Sequence, residues 1–129
     1  MSLDEVLSIE IPKEQMESLL EESRKSSEEI EALLFGKFEG RRAVVTSVKM
    51  LKYSERSSSH FLTSPFFLSK SLLEADEIGL ELVGIFHSHP APPRPSVLDL
   101  KFMELNPVVW VIADSTKMEV KAYFWLEAP

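Results

Sequence analysis

The chain predicts a single α/β domain over residues 1–129, with roughly six strands, two substantial helices and one short helix. Three observations carry this. Stretches with strand periodicity and stretches with helical periodicity interleave along the whole length. No repeat, low-complexity tract or linker divides the 129 residues, a length that buries a core without staples. The hydrophobic fraction of 44% is ordinary for a globular fold, and no apolar run approaches the roughly 18–20 residues that cross a bilayer.

"VLSIEI" (6–11) alternates, with Leu7, Ile9 and Ile11 on one face, and reads as a strand. Pro12 then suits a helix start, and Met16, Leu19 and Leu20 follow at helical spacing with Glu14, Glu17, Glu21 and Glu22 on the wet face. The polar "SRKSS" (23–27) is expected to end or interrupt that helix. "EEIEALLFGKF" (28–38) and "RAVVTSVKMLKY" (42–53) read as a hairpin whose turn, "EGR", uses Gly40. "SERSSSH" (54–60) is a polar loop, and His60 within it reads as a surface histidine.

Ser64 and Pro65 open the next helix as N-cap and first residue. It is expected to bury Phe67, Leu68, Leu72 and Leu73 and to stop near Gly79. "LELVGIFHSH" (80–89) is apolar until its histidines, as in a strand buried on both faces. "APPRP" (91–95) is neither helix nor inner strand, because proline lacks the donor. Ser96 caps a short helix, "VLDLKFM", and "PVVWVIAD" (107–114) and "MEVKAYFWL" (118–126) close the chain as strands. In the last, Met118, Val120, Ala122, Phe124 and Leu126 are expected to share a face, and Trp110 and Trp125 read as packing residues.

Composition removes several functions. There is no cysteine, so disulfides, thiolate zinc sites and cysteine nucleophiles are excluded. A net charge of −7 opposes non-specific binding to nucleic acid or to an anionic membrane. "MSLDEVLSIE" carries early acids and no apolar signal core, which makes the cytoplasm the expected compartment.

Chemistry concentrates in "HSHPAPPRPSVLD" (87–99), which holds two of the three histidines and one of the four aspartates. Residues two apart on a strand point the same way, so His87 and His89 project together, about 7 Å apart at the backbone, while Ser88 points to the other side. Asp99 follows His89 after nine residues, in the first turn of the next helix, where a stiff proline-rich turn can return it to the histidines. Two neutral imidazoles and one carboxylate leave a bound cation with an open position, the arrangement of a catalytic metal site. An H-x-H pair alone is common; joined to the proline turn and Ser-x-x-Asp it is specific.

These residues resemble the JAMM (MPN+) metalloprotease signature: H-x-H-P, a short loop, then S-x-x-D. "EEIEALLFG" (28–36) is similar to the family's first-strand segment, and "ADEIGLELVGIFHSHP" (75–90) to its run into the histidines, so the likeness covers about residues 5–126. The resemblance implies a cytidine deaminase-like fold with a central, curved, mixed sheet. It implies one zinc ion per chain held by His87, His89 and Asp99, with Ser96 helping to hold the scissile carbonyl. It also selects Glu29 as the general base and acid, whereas the residues alone leave Glu28, Glu29 and Glu31 as rivals. Many members have ten residues between the second histidine and the aspartate; the nine here shorten the loop before the helix.

The implied activity is a zinc-dependent isopeptidase that cuts between the C-terminus of a ubiquitin-like modifier and a lysine amine. The implied partner is that modifier, or a sulfur-carrier protein, with a glycine-rich tail laid along a sheet edge. The loop at 54–60 resembles the family's first variable insertion, and the few residues between Asp99 and the strand at 107 leave little room for a second. Alternatives are a peptidase trimming a sulfur carrier's tail and a non-catalytic MPN-type scaffold, although scaffold relatives typically lack one or more ligands. A two-histidine, one-carboxylate iron oxygenase shares the ligand set, but such enzymes are usually all-β.

Overall fold

The computed structural model describes residues 8–26, 29–51 and 65–124. Its elements run β1 (Ser8–Glu10), α1 (Lys13–Lys25), β2 (Glu31–Glu39), β3 (Arg42–Met50), α2 (Pro65–Glu77), β4 (Glu81–His89), α3 (Val97–Leu105), β5 (Val109–Asp114) and β6 (Glu119–Tyr123). The six strands form one sheet in the order β1-β3-β2-β4-β5-β6. β1 with β3 and β4 with β5 are parallel, and the remaining neighbours are antiparallel, so the sheet is mixed as expected.

Side chains from the two faces of the sheet enter two cores. Leu19 of α1 packs with Ala32, Leu34, Val45, Phe86 and Val111. Phe67 and Ala75 of α2 and Met103 of α3 pack with Leu33, Phe35, Ile85 and Trp110. The central strands therefore read as continuous apolar runs because both faces are covered. Trp110 is fully buried and donates its indole N–H to the Asn106 carbonyl at 3.0 Å, which makes it a packing residue.

The β2–β3 register shifts between Phe35 and Gly36, leaving Thr46 as an extra residue on β3. A Cβ built on Gly36 would lie 1.8 Å from the Val44 carbonyl oxygen, so only glycine permits this approach. The β2–β3 turn falls at Gly40, with φ +58°, as the hairpin reading requires.

Several boundaries differ from the sequence reading. α1 runs through Ser23 to Lys25, because the buried Ser23 hydroxyl donates to the Leu19 carbonyl at 2.7 Å and needs no water. Pro12 is the N-cap rather than the first helical residue. β2 begins at Glu31, so Glu29 precedes the strand. α2 turns Phe67, Leu68, Ser71 and Ala75 inward and leaves Leu72 and Leu73 at 40% and 66% exposure. The inward positions form one helical stripe, and residues 72 and 73 fall outside it. β6 starts after Met118, whose φ of +59° places it in the turn. The expectations for the 54–60 loop, His60, Ser64, Trp125 and Leu126 lie outside the described residues.

Candidate active site

The C-terminal end of β4 is held on both sides, by β2 antiparallel and β5 parallel. Local sequence then decides what projects there. His87 and His89 are buried with their rings edge to face, centroids 5.4 Å apart. Ser88, on the opposite side as expected, is buried too: its hydroxyl accepts the Ile30 N–H at 3.1 Å, and its own N–H donates to the Ile30 carbonyl at 2.9 Å. That clasp fixes the chain just before β2, where Glu29 sits.

Past His89 the chain leaves the sheet through Pro90, Pro92, Pro93 and Pro95 and re-enters structure at Ser96, the N-cap of α3. The cap is reciprocal: the Ser96 Oγ accepts the Asp99 N–H at 3.1 Å, and the Asp99 Oδ2 accepts the Ser96 N–H at 2.9 Å. Asp99 is thereby locked in the first turn, and its other oxygen, Oδ1, lies 3.2 Å from His87 Nδ1. The nine-residue connection is long enough to bring Asp99 against the histidine.

On the other nitrogen, His87 Nε2 is 2.8 Å from the Glu29 Oε2, so the imidazole stands between two carboxylates. Burial of the ring lowers its pKa, but the Asp99 and Glu29 carboxylates more than compensate and raise it to about 9. Glu29 in turn is held below the usual carboxylate range, chiefly by its hydrogen bond to His87, against the opposing effect of partial burial. Glu28 is outside the described residues. Glu31 stands opposite His87 in the β2–β4 register and is buried, but it does not line the cleft, whereas Glu29 does.

Glu29, His87, His89, Ser96 and Asp99 all line one cleft of about 790 Å³, a size typical of ligand sites. Arg94 and Leu98 lie on its rim. The donor set suits a divalent cation of borderline softness: imidazole nitrogens and carboxylate oxygens with no thiolate. His89 Nδ1 is buried without a hydrogen-bond partner, a polar atom that a ligand in the cleft would satisfy. As placed, no three imidazole or carboxylate groups among the described residues stand at chelating geometry, because His87 is engaged with Glu29 and Asp99. The residues fit a metal whose binding replaces those contacts.

Two contributors to this site escape sequence reasoning. Tyr123 of β6 donates its hydroxyl to the Pro93 carbonyl at 2.6 Å and ties the proline loop to the sheet. Asp114, the register partner of His89, turns away to accept from the Thr116 N–H and hydroxyl and the Lys117 N–H, which lowers its pKa and builds the β5–β6 turn. That turn returns the Ser115 N–H to the His89 carbonyl at 3.0 Å. A tyrosine on a strand carries no local sign that it will hold the carbonyl of Pro93, 30 positions away.

Comparison with known proteins agrees with this architecture. Residues 12–126 match the family described as prokaryotic homologs of the JAB domain. A desampylase of Pyrococcus furiosus is 40% identical over 118 residues, which cover 91% of this chain and 81% of the relative. The solution structure of a Desulfitobacterium hafniense protein superposes with a TM-score of 0.65 at 27% identity, covering 89% of this chain and 80% of that one. The crystal structure of a JAB1/MPN domain protein from Archaeoglobus fulgidus, at 20% identity, shares the fold with a TM-score of 0.59 over 92% of this chain and 87% of its own.

Proposed function

The chain belongs to the family of prokaryotic JAB-domain homologs, and from that premise we propose that it is a metal-dependent isopeptidase. It hydrolyses the bond between the C-terminus of a ubiquitin-like modifier and a lysine amine. The observation that carries this reading is the meeting of Glu29, His87, His89, Ser96 and Asp99, from three separate segments, in one cleft. The 40% identity to a desampylase supports the substrate class.

His87, His89 and Asp99 are the residues to hold zinc, one ion per chain, which supplies a Lewis acid that acidifies water and polarises the scissile carbonyl. Glu29 is half exposed and ionised at neutral pH, so it can take a proton from the attacking water. As the water oxygen bonds to the carbonyl carbon and the carbon–nitrogen bond breaks, the same carboxyl passes that proton to the departing lysine amine. The Ser96 hydroxyl accepts the Asp99 N–H and so keeps its own proton to donate toward the carbonyl oxygen as negative charge develops there. A glycine-rich tail suits the cleft because it brings main-chain hydrogen-bonding groups without side chains.

The test is zinc-loaded protein incubated with a modifier joined through its C-terminus to a lysine peptide, followed by mass spectrometry. Release of both intact components is expected, with the rate reduced about 10²–10⁴-fold in Glu29→Gln. Turnover by Glu29→Gln at the wild-type rate would remove Glu29 from the mechanism, and no turnover by the zinc-loaded wild type would refute the isopeptidase reading.

A further inference from the structure

Arg94 is the single guanidinium or ammonium group among the described residues that line the cleft, where Glu29 and Asp99 already contribute negative charge. It is exposed, and the ion pairs among the described residues leave it out. An exposed, unpaired arginine adds little to folding. Its backbone, however, is held tightly. Pro92, Pro93 and Pro95 restrict the chain on both sides, and the Arg94 N–H donates to the Pro92 carbonyl at 2.7 Å. Pro93 is buried, and its carbonyl accepts the Tyr123 hydroxyl at 2.6 Å. The loop thus presents one cation at one place on the rim.

We infer that Arg94 recognises a carboxylate carried on the leaving-amine side of the substrate, an inference that rests on the isopeptidase reading. Two steps lead there. A guanidinium fork matches a carboxylate in geometry and charge. A glycine tail has no side chain to offer it and holds the modifier's body away from the cleft, so the anion is assigned to the part of the substrate that bears the lysine. Among the described residues that line the cleft, Arg94 is the one lysine or arginine available to meet that anion. The carboxylate is either an acidic side chain beside the lysine or the α-carboxylate of a chain that ends at it.

Three branched peptides separate the sources, each a glycine-rich tail joined to a lysine side chain. One has acidic neighbours and an amidated end, one has neutral neighbours and a free α-carboxylate on the lysine, and one has neutral neighbours and an amidated end. Zinc-loaded wild type is expected to cleave at least one charged peptide with a kcat/KM about tenfold above the neutral one, mainly through KM. The better charged peptide identifies the source. The ratio falls to about one in Arg94→Ala, drops below one in Arg94→Glu and is partly kept in Arg94→Lys. Tyr123→Phe lowers the ratio with the charge still in place.

Equal rates for all three peptides in wild type, or an unchanged ratio in Arg94→Ala, overturn the inference. If wild type cleaves none of them, the isopeptidase reading fails, and fluorescence anisotropy on the Glu29→Gln protein still reads the pairing. There the charged peptides should bind about tenfold more weakly once Arg94→Ala is added, and no difference overturns the inference too.

Discussion

Ser88 and Ile30 clasp each other across 58 positions of sequence, the Ile30 N–H donating to the Ser88 hydroxyl at 3.1 Å and the Ser88 N–H to the Ile30 carbonyl at 2.9 Å. The bonds join the end of β4 to the residue after Glu29, so the strand that carries the histidines also positions the carboxylate. Ser88→Ala leaves the Ile30 N–H without its hydroxyl partner and is expected to cost about 1–2 kcal/mol. Turnover should fall more steeply than stability accounts for, read as kcat against thermal midpoint at a temperature where both proteins are folded. Full activity in a destabilised Ser88→Ala protein would show that Glu29 needs no such clasp.

Asp99 serves the helix cap with one oxygen and faces His87 with the other, and two substitutions separate these tasks. Asp99→Asn keeps an acceptor for the Ser96 N–H but loses the charge. It should cut zinc content, by elemental analysis, from about one per chain to a small fraction, and the metal-free protein should lose the part of its stability that His87 draws from the Asp99 carboxylate. Asp99→Ala should lose the metal and a further ~1 kcal/mol or more of stability. Retention of full zinc by Asp99→Asn would remove Asp99 from the ligand set.

The metal-free protein carries a pH dependence set by His87. Its folded pKa is raised from 6.5 to about 9, so the folded state binds the proton more tightly than the unfolded chain does. The stabilisation, on the order of 3 kcal/mol, is fully present below about pH 6.5 and is lost as the pH rises towards 9. Denaturant midpoints of the metal-free wild type should therefore decline across that window, and those of metal-free His87→Gln should not. Parallel profiles would mean that the two carboxylates do not retain the proton.

Gly36 is required by contact, since a Cβ there would overlap the Val44 carbonyl oxygen at 1.8 Å. Gly36→Ala must displace backbone at the β2–β3 bulge and is expected to cost about 3 kcal/mol or more, or to prevent accumulation of folded protein. A change in thermal midpoint of only a degree or two would show that the bulge can be rebuilt cheaply.

The features legible in the amino-acid sequence are those that short-range physics controls. His87 and His89 share a direction because a strand has a period of two, the prolines at 90–95 break the sheet, and Ser96 with Asp99 caps a helix three residues apart. The hairpin at Gly40 and the apolar runs of the central strands follow from equally local chemistry. Tertiary structure decided what depends on distant segments. Which glutamate reaches the cleft turned on β2 starting at Glu31 and on Ser88 holding Ile30, and no periodicity within "EEIEALLFG" contains that information. The inward face of α2, the continuation of α1 through Ser23 and the tie from Tyr123 to Pro93 were settled in the same way. Periodicity and capping act over one or two turns of chain, whereas a cleft is made where strands far apart in sequence are brought into register, and that register is a property of the packed sheet.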